Sequence, residues 1–321
     1  MSFEVLKSAL KNLSFWYEKE GVEEVAINRP GEIWIRQSGK KKDPWVVYSD
    51  DRLTKAYLED VLYLIANTYA IPFDPDLGSP LVFSDLPGGH RFSAISGKNV
   101  LYDENDISGG VAISIRKHRD DVDYSFSDWG LEKGVKLQKV DKKVVENITD
   151  PYEKMMTILA NGEHLLISGA TSTGKTTFLN NVLKVLPKEK RIITVEDTRE
   201  LIVSQPNHVH LLLSRTQQSN SLNYSGVIDL VVRMTPDVII GGEISTENAG
   251  AIWELMGTGH DNCLASIHAE SPDAAYKAFI DRIVHTYPNI DREKLMENMR
   301  DRVHVVQISR DGNIRVVSEI V

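Results

Sequence analysis

Apolar residues follow two different spacings along the chain and divide it into two parts. In the first part, Phe3–Glu18 and Asp51–Tyr69 have helical spacing, and Asp50 or Asp51 is expected to cap the second helix. Short apolar runs between turn residues predict strands at Glu23–Ile27, Glu32–Gln37, Trp45–Tyr48, Pro80–Phe83, His90–Ile95 and Gly110–Arg116. Because the connections are local, this pattern favours an antiparallel sheet, and residues 1–116 are interpreted as a smaller α+β domain.

Helices alternate with short apolar strands in the second part, residues 135–321. Strands are predicted at His164–Ser168, Arg191–Val195, Val209–Leu213 and Val238–Ile240, and helices at Pro151–Asn161, Thr176–Leu186, Leu222–Arg233, Glu247–Met256 and Pro272–His285. This alternation predicts an α/β fold with a mostly parallel sheet that binds its ligand at the carboxyl ends of the strands. Val303–Ser309 and Ile314–Ile320 are expected to form a closing hairpin, and residues 117–134, which show no clear period, are interpreted as a linker.

The composition of the chain excludes several classes of protein. The net charge of −9 argues against stable nucleic-acid binding as the main role. The single cysteine, Cys263, excludes an internal disulfide and a multi-cysteine zinc site and fits a reducing compartment. No signal peptide and no apolar run of about 18 residues is present, so we expect a cytoplasmic protein without a transmembrane segment. The basic cluster Lys40–Lys42 is either a solvated turn or a contact for lipid headgroups.

Residues 169–177 match the phosphate-binding loop (P-loop) of nucleotide hydrolases, G-x-x-x-x-G-K-[ST]. The loop lies between a predicted buried strand and a predicted helix, where backbone N–H groups and the helix dipole favour an anion. Lys175 would supply a charge to the β- and γ-phosphates, and Thr176 a hydroxyl to Mg²⁺. The residues expected to bind the nucleotide here are Gly169, Ala170, Thr171, Ser172, Thr173, Gly174, Lys175, Thr176 and Thr177.

Carboxylates follow two further predicted strands at the same edge of the sheet. Glu243 comes just after an apolar strand and two glycines, where it could orient or activate the attacking water. Glu196 opens a second acidic segment with Asp197 and Glu200, and could hold Mg²⁺ through water. Each could instead be an ordinary loop acid.

Two histidines, His260 and His268, flank the apolar segment that follows. They are either structural residues or sensors of the γ-phosphate. Too few cysteines and carboxylates accompany them to form a zinc site.

Four ordered segments resemble the boxes of the secretion traffic ATPases, most closely those of the type IV secretion branch. They are the P-loop Gly169–Thr177, the acidic box Glu196–Glu200, the Walker B segment Arg233–Glu243 and the histidine box His260–Ala269. Gly89–Arg91 and Ile113–Arg116 are similar to the arginine segments of that family's N-terminal domain.

The resemblance implies a RecA-like ATPase domain preceded by a smaller domain, assembled as a homohexameric ring. It implies ATP and Mg²⁺ in the cleft between the two domains of one subunit, with Lys175, Glu196 and Glu243 as catalytic residues. Arg91, Arg116, His260 and His268 would also reach the nucleotide. Hydrolysis would power substrate export or pilus assembly, with partners at the inner membrane and only peripheral membrane association.

Two departures from the family pattern concern the site. Ser245 stands where the family usually has arginine, and Asn262 where it usually has glycine; Ala265 and Ser266 replace two threonines. The alternatives are an ATPase like those of pilus retraction or type II secretion, a nucleotide-gated scaffold with little turnover, and, less favoured, a small-molecule kinase. One cysteine excludes the four-cysteine zinc module that type II assembly ATPases usually carry.

Overall fold

A computed structural model describes residues 3–38, 44–102, 108–118, 144–213, 224–312 and 314–321. Its helices are α1 Phe3–Ala9, α2 Lys11–Tyr17, α3 Lys55–Tyr69, α4 Pro151–Ala160, α5 Lys175–Val185, α6 Tyr224–Arg233, α7 Ala249–Gly257, α8 Pro272–Thr286 and α9 Arg292–Arg302. Its strands are β1 Val22–Arg29, β2 Glu32–Gln37, β3 Trp45–Ser49, β4 Leu81–Leu86, β5 His90–Gly97, β6 Val100–Leu101, β7 Gly110–Arg116, β8 His164–Gly169, β9 Ile192–Glu196, β10 His208–Leu212, β11 Val238–Glu243, β12 Cys263–Ile267, β13 Val303–Asp311 and β14 Ile314–Ile320.

Six strands of the first part form an antiparallel sheet in the order β3-β2-β1-β7-β5-β4, which confirms the predicted architecture. Its core is built from one face of the sheet and from the apolar sides of α1 to α3. Thr54 caps α3, so the prediction of Asp50 or Asp51 was wrong. The carboxylate of Asp50 instead accepts hydrogen bonds from Trp16 Nε1 (2.7 Å) and from Arg52.

The second sheet has the order β14-β13-β8-β12-β11-β9-β10-β6. The six inner strands are parallel to one another, and the two edge strands are antiparallel, so the mostly parallel sheet is confirmed. Every residue of β8 is buried, as its unbroken apolar run predicts. The P-loop therefore starts from an inner strand covered on both faces.

Three elements were missed by the sequence prediction: β6, α9 and β12, whose residues were identified only as an apolar segment between two histidines. Strand β6 is only two residues long, too short for a periodic signal, yet it pairs with β10 and so joins the first part of the chain to the second sheet. Helix α9 is mostly charged, with only Leu295 and Met299 buried, so its apolar face is too narrow to reveal it. The predicted linker lies outside the described residues except for residues 117 and 118, and the Lys40–Lys42 cluster lies outside them entirely.

The two parts share one apolar core, which includes Ile95, Val100 and Ala112 of the first part, and they also meet through buried polar groups. Arg191, just before β9, is fully buried and donates to Asn28 Oδ1 (2.9 Å) in β1 and to Asn207 Oδ1 before β10. Glu24 Oε1 accepts from Thr235 Oγ1 (3.0 Å), just before β11. These polar contacts lie at the amino ends of the parallel strands, which is the edge opposite the P-loop. In the described part of the chain, no helix has the length and apolar content that crossing a membrane requires.

Candidate functional site

The P-loop connects β8 to α5 through a backbone path that needs glycine at two positions. Gly174, the N-cap of α5, has φ 93°, in the left-handed region that L side chains rarely adopt. A Cβ on Gly169 would lie 2.5 Å from Thr173 Oγ1 and 2.7 Å from the carbonyl oxygen of Ile308. The loop thus packs against the neighbouring strand β13 as well as against itself, which fixes where its N–H groups point.

Lys175 is buried inside this loop. Its Nζ donates to the carbonyl oxygens of Gly169 (3.0 Å) and Ala170 (3.1 Å). Burial lowers the pKa of the ammonium group below its usual value, and the carboxylate of Glu243 opposes that shift. An anionic phosphate would offer this desolvated charge a stronger partner than two neutral carbonyls do.

His268 connects Lys175 to Glu243. The third contact of Lys175 Nζ is His268 Nδ1 at 3.0 Å, and His268 Nε2 lies 3.4 Å from Glu243 Oε1. An ammonium group can only donate, so Nδ1 is the acceptor and the proton of the neutral ring is on Nε2, which faces the carboxylate. The structure therefore brings together three residues predicted from separate boxes.

Side chains missed by the sequence analysis shape the loop that carries Glu243. Asn248 Nδ2 donates to the Glu243 carbonyl (2.7 Å), and Asn248 Oδ1 accepts from the Ser245 backbone N–H (2.7 Å). Ser266 Oγ donates to the Gly242 carbonyl at 2.7 Å. Arg282 donates to the carbonyl oxygen of Ile244 (2.8 Å), so a cation from α8 reaches the loop in which Ser245 replaces the family's arginine.

Glu196 is buried and fully engaged, with its side chain 2% exposed. Its Oε2 accepts from the backbone N–H groups of Glu200 (2.8 Å) and Leu201 (2.9 Å), and its Oε1 accepts from Thr194 Oγ1 (3.0 Å). A carboxylate held this way organises the acidic box. The role of Glu196 in holding Mg²⁺ through water stays a prediction.

The donor set around the P-loop fits Mg²⁺ bound together with phosphates. The described residues contain no group of three or more His, Cys, Asp or Glu side chains that could hold a metal ion by themselves. Mg²⁺ commonly binds through substrate phosphates, water and one or two protein oxygens, which Thr176 can supply from the first turn of α5. Thr176 is half-buried and next to Lys175.

His260 lies apart from this cluster. It precedes β12, at the amino edge of the sheet, whereas His268 follows the carboxyl end of the same strand. The structure therefore does not bring His260 to the P-loop of its own chain. Nearby, Asn262 has φ 44°, a conformation that asparagine and glycine both tolerate, which explains physically why asparagine can replace the family's glycine.

Arg91 and Arg116 are direct cross-strand partners in β5 and β7. With Gly89, Lys117 and His118 they line a pocket of about 210 Å³, and none of the P-loop residues lies in its walls. We call these five residues the arginine pocket. Its four basic side chains make it a second candidate anion site.

The arginine pocket lies far from the P-loop of the same chain. Arg116 pairs with Glu24, which is bonded to Thr235 below the start of β11. Ile240 of β11 is level with Leu165 of β8, because both pair with Leu264 of the strand between them. A strand rises ~3.3 Å per residue, and neighbouring strands are ~4.8 Å apart. The start of β11 and Gly169 are therefore about 20 Å apart. An arginine side chain is too short to cover that distance.

Comparisons with known proteins agree with the geometry. The family model described as "Type II/IV secretion system protein" matches residues 138–285. The type IV secretion system protein VirB11 of Bartonella quintana is 34% identical over 302 residues, covering 85% of this chain and 79% of the relative. VirB11 of Agrobacterium fabrum is 28% identical over 332 residues, covering 98% and 92%.

The same relationship holds in three dimensions. The crystal structure of the VirB11 ATPase from the Brucella suis type IV secretion system superposes with a TM-score of 0.84 at 21% identity, over 98% of this chain and 93% of that one. The fold, the ordered boxes and the length of the match thus lead to one family. The chain belongs to the VirB11 family of type IV secretion traffic ATPases.

Proposed function

We propose that this chain is a working motor ATPase. It binds ATP with Mg²⁺ at Gly169–Thr177, hydrolyses it in a homohexameric ring, and powers substrate export or pilus assembly by a type IV secretion system. The observation that carries the proposal is the contact chain Lys175–His268–Glu243, which links the phosphate-binding charge to the proposed base.

The residues have distinct roles in this proposal. The loop N–H groups and Lys175 hold the phosphates, and Glu243 orients and deprotonates the attacking water. Bound Mg²⁺ would neutralise phosphate charge, with Thr176 as its protein ligand. Glu196 keeps the acidic box in place through its two backbone N–H bonds.

His268 is proposed to sense the γ-phosphate. When Lys175 Nζ turns to a phosphate oxygen, His268 Nδ1 loses its donor and the ring is free to rotate. Its Nε2 then no longer faces Glu243, so phosphate binding changes the position of the base. The contact is a two-state element that the nucleotide can bias.

The ring is supported by the separation of the two anion sites. If the arginine pocket reaches nucleotide phosphates, as the family resemblance implies, it must serve the P-loop of another chain. Such head-to-tail contacts between different surfaces generate rings. We therefore propose that the nucleotide lies between subunits, whereas the sequence-based expectation is a cleft within one subunit.

The chain is proposed to consist of two domains and to act at a membrane. Residues 1–116 and 135–321 are proposed as two domains joined by residues 117–134, although β6 pairs with β10 of the second sheet. Because the relatives are secretion-system proteins, the ring is proposed to act at the cytoplasmic face of the inner membrane with other components of that system.

Steady-state ATPase activity on size-separated protein tests the function. We expect turnover in a hexamer-sized fraction of the wild type, loss of ATP binding in Lys175→Ala, and binding without turnover in Glu243→Gln. Glu297→Gln, an exposed change on α9, is the matched control and should keep wild-type activity. ATP binding without turnover in every oligomer of the wild type would instead support a nucleotide-gated scaffold.

A further inference from the structure

The C-terminal hairpin forms a wall beside the P-loop. Strand β13 runs parallel to β8, and Ile308 is level with Gly169, so the hairpin tip extends alongside the loop itself. The carbonyl oxygen of Ile308 would lie 2.7 Å from a Cβ on Gly169. Whatever the P-loop binds is therefore within reach of side chains at the tip.

Two arginines of this tip lie beside the P-loop. Arg310 and Arg315 are directly opposite each other in the β13–β14 pair. Arg310 Nη2 donates to the carbonyl oxygen of Ser172 at 2.9 Å. The Arg315 guanidinium lies over Gly174, with its Cζ and Nε each 3.2 Å from the position of an added Cβ.

This arrangement concentrates positive charge at one place. Gly174 is the N-cap of α5, where unpaired N–H groups and the helix dipole already favour an anion, and Lys175 follows it. Among the described residues, no carboxylate forms an ion pair with Arg310 or Arg315. Like charges directly across a strand pair also repel each other. A polyanion at the P-loop would give both arginines an opposite charge and would reduce the repulsion between them.

We propose that Arg315 is a nucleotide-binding residue that contacts the α- and β-phosphates, and that Arg310 is a positioning residue. Gly174 belongs to the part of a P-loop whose N–H groups cradle those phosphates, and the Arg315 guanidinium already lies against it. Arg310 stabilises the loop conformation through Ser172, whose φ is 61°. The inference rests on the proposed binding of ATP at Gly169–Thr177.

The position of Arg315 determines which nucleotides it can stabilise. ADP and ATP both carry α- and β-phosphates, so the contribution of Arg315 is the same for both nucleotides. AMP has no β-phosphate and gains less. The γ-phosphate is left to Lys175 and His268, so Arg315 contributes to holding the nucleotide and not to distinguishing ATP from ADP.

Calorimetric titration with ADP, with a non-hydrolysable ATP analogue and with AMP tests the inference. The proteins are the wild type, Arg315→Gln, Arg315→Lys, Arg310→Gln, Lys175→Ala and the control Arg292→Gln, an exposed arginine on α9. We expect Arg315→Gln to weaken ADP and the analogue equally, about tenfold. Arg315→Lys should lose less because it keeps the charge, and the differences should shrink at high ionic strength.

The outcomes separate this inference from the proposed function. Wild-type affinity of Arg315→Gln for both nucleotides, together with loss of binding in Lys175→Ala, would overturn the role of Arg315 and leave the function standing. An equal, salt-insensitive loss in the Gln and Lys variants would also overturn it, since that indicates packing alone. If the wild type bound neither nucleotide, the proposed function would fail first.

Discussion

Protonation of His208 is expected to loosen the contact between the two parts of the chain. His208 Nδ1 lies 2.6 Å from the carbonyl oxygen of Gln205, so it is the donor, and Nε2 faces Arg29 Nη2 at 3.4 Å. The ring is therefore neutral in the folded protein. Burial, and then nearby His210, lowers its pKa to about 4. A proton on Nε2 would place one cation against another at the junction of β1 and β10.

The magnitude follows from the difference between the folded and unfolded pKa. The unfolded chain takes up a proton below about pH 6.5, whereas the folded protein does so only near pH 4. The stability linked to His208 is thus fully present above about pH 6.5 and decreases as the pH falls. The loss is about 2 kcal/mol at about pH 5 and approaches about 3 kcal/mol at lower pH.

Urea unfolding at about pH 7 and about pH 5 measures this loss. The wild type should lose about 2 kcal/mol more than His208→Gln over that range, because glutamine removes the titrating group and keeps an acceptor for Arg29. His285→Gln, at an exposed position of α8, should behave as the wild type. If His208→Gln loses as much stability as the wild type, the assignment of a neutral, buried His208 is wrong.

Three further predictions test single features of the fold and the site. Arg191→Ala should lower the free energy of unfolding, measured in urea, by about 3–5 kcal/mol, because it leaves the buried partners of Arg191 without this hydrogen-bond donor. The surface change Lys188→Ala should have little effect in the same experiment. Gly174→Ala should weaken nucleotide binding, because a residue with a side chain is strained at the backbone angle φ 93°. Gly257→Ala has no atom near its added Cβ and should bind nucleotide normally in the same titration. Cys263 should react with a thiol reagent only after unfolding, because burial raises its pKa to about 12.

Local signals predicted the elements of the site well. The P-loop, the strand before it and the helix after it are where the spacing placed them, because glycine positions and apolar runs act over a few residues. The placement of Glu243 at this edge was also predictable, since it ends a predicted parallel strand, whereas His268 follows β12, a strand that the sequence prediction missed.

Features that depend on long-range packing were not predictable. No local pattern shows that Arg310 and Arg315 contact the P-loop, because this depends on the register between β13 and β8. The contribution of β6 to the second sheet is equally invisible, since a two-residue strand exists only through its partner. The separation of His260 from His268 was not predictable either, because their nearness in sequence hides the strand between them.

ATPase activity in mixed rings tests whether each nucleotide site is shared between two chains. One parent is Lys175→Ala, with an intact arginine pocket. The other carries Arg91→Ala and Arg116→Ala, with an intact P-loop. Each is expected to be inactive alone, and the two are mixed in equal amounts under conditions that allow subunit exchange.

If each site combines the P-loop of one chain with the arginine pocket of another, random mixing restores both parts in about a quarter of the sites. We therefore expect about a quarter of wild-type turnover in the mixed, hexamer-sized fraction. Turnover that stays at the level of the two parents, in rings shown to contain both, would contradict it.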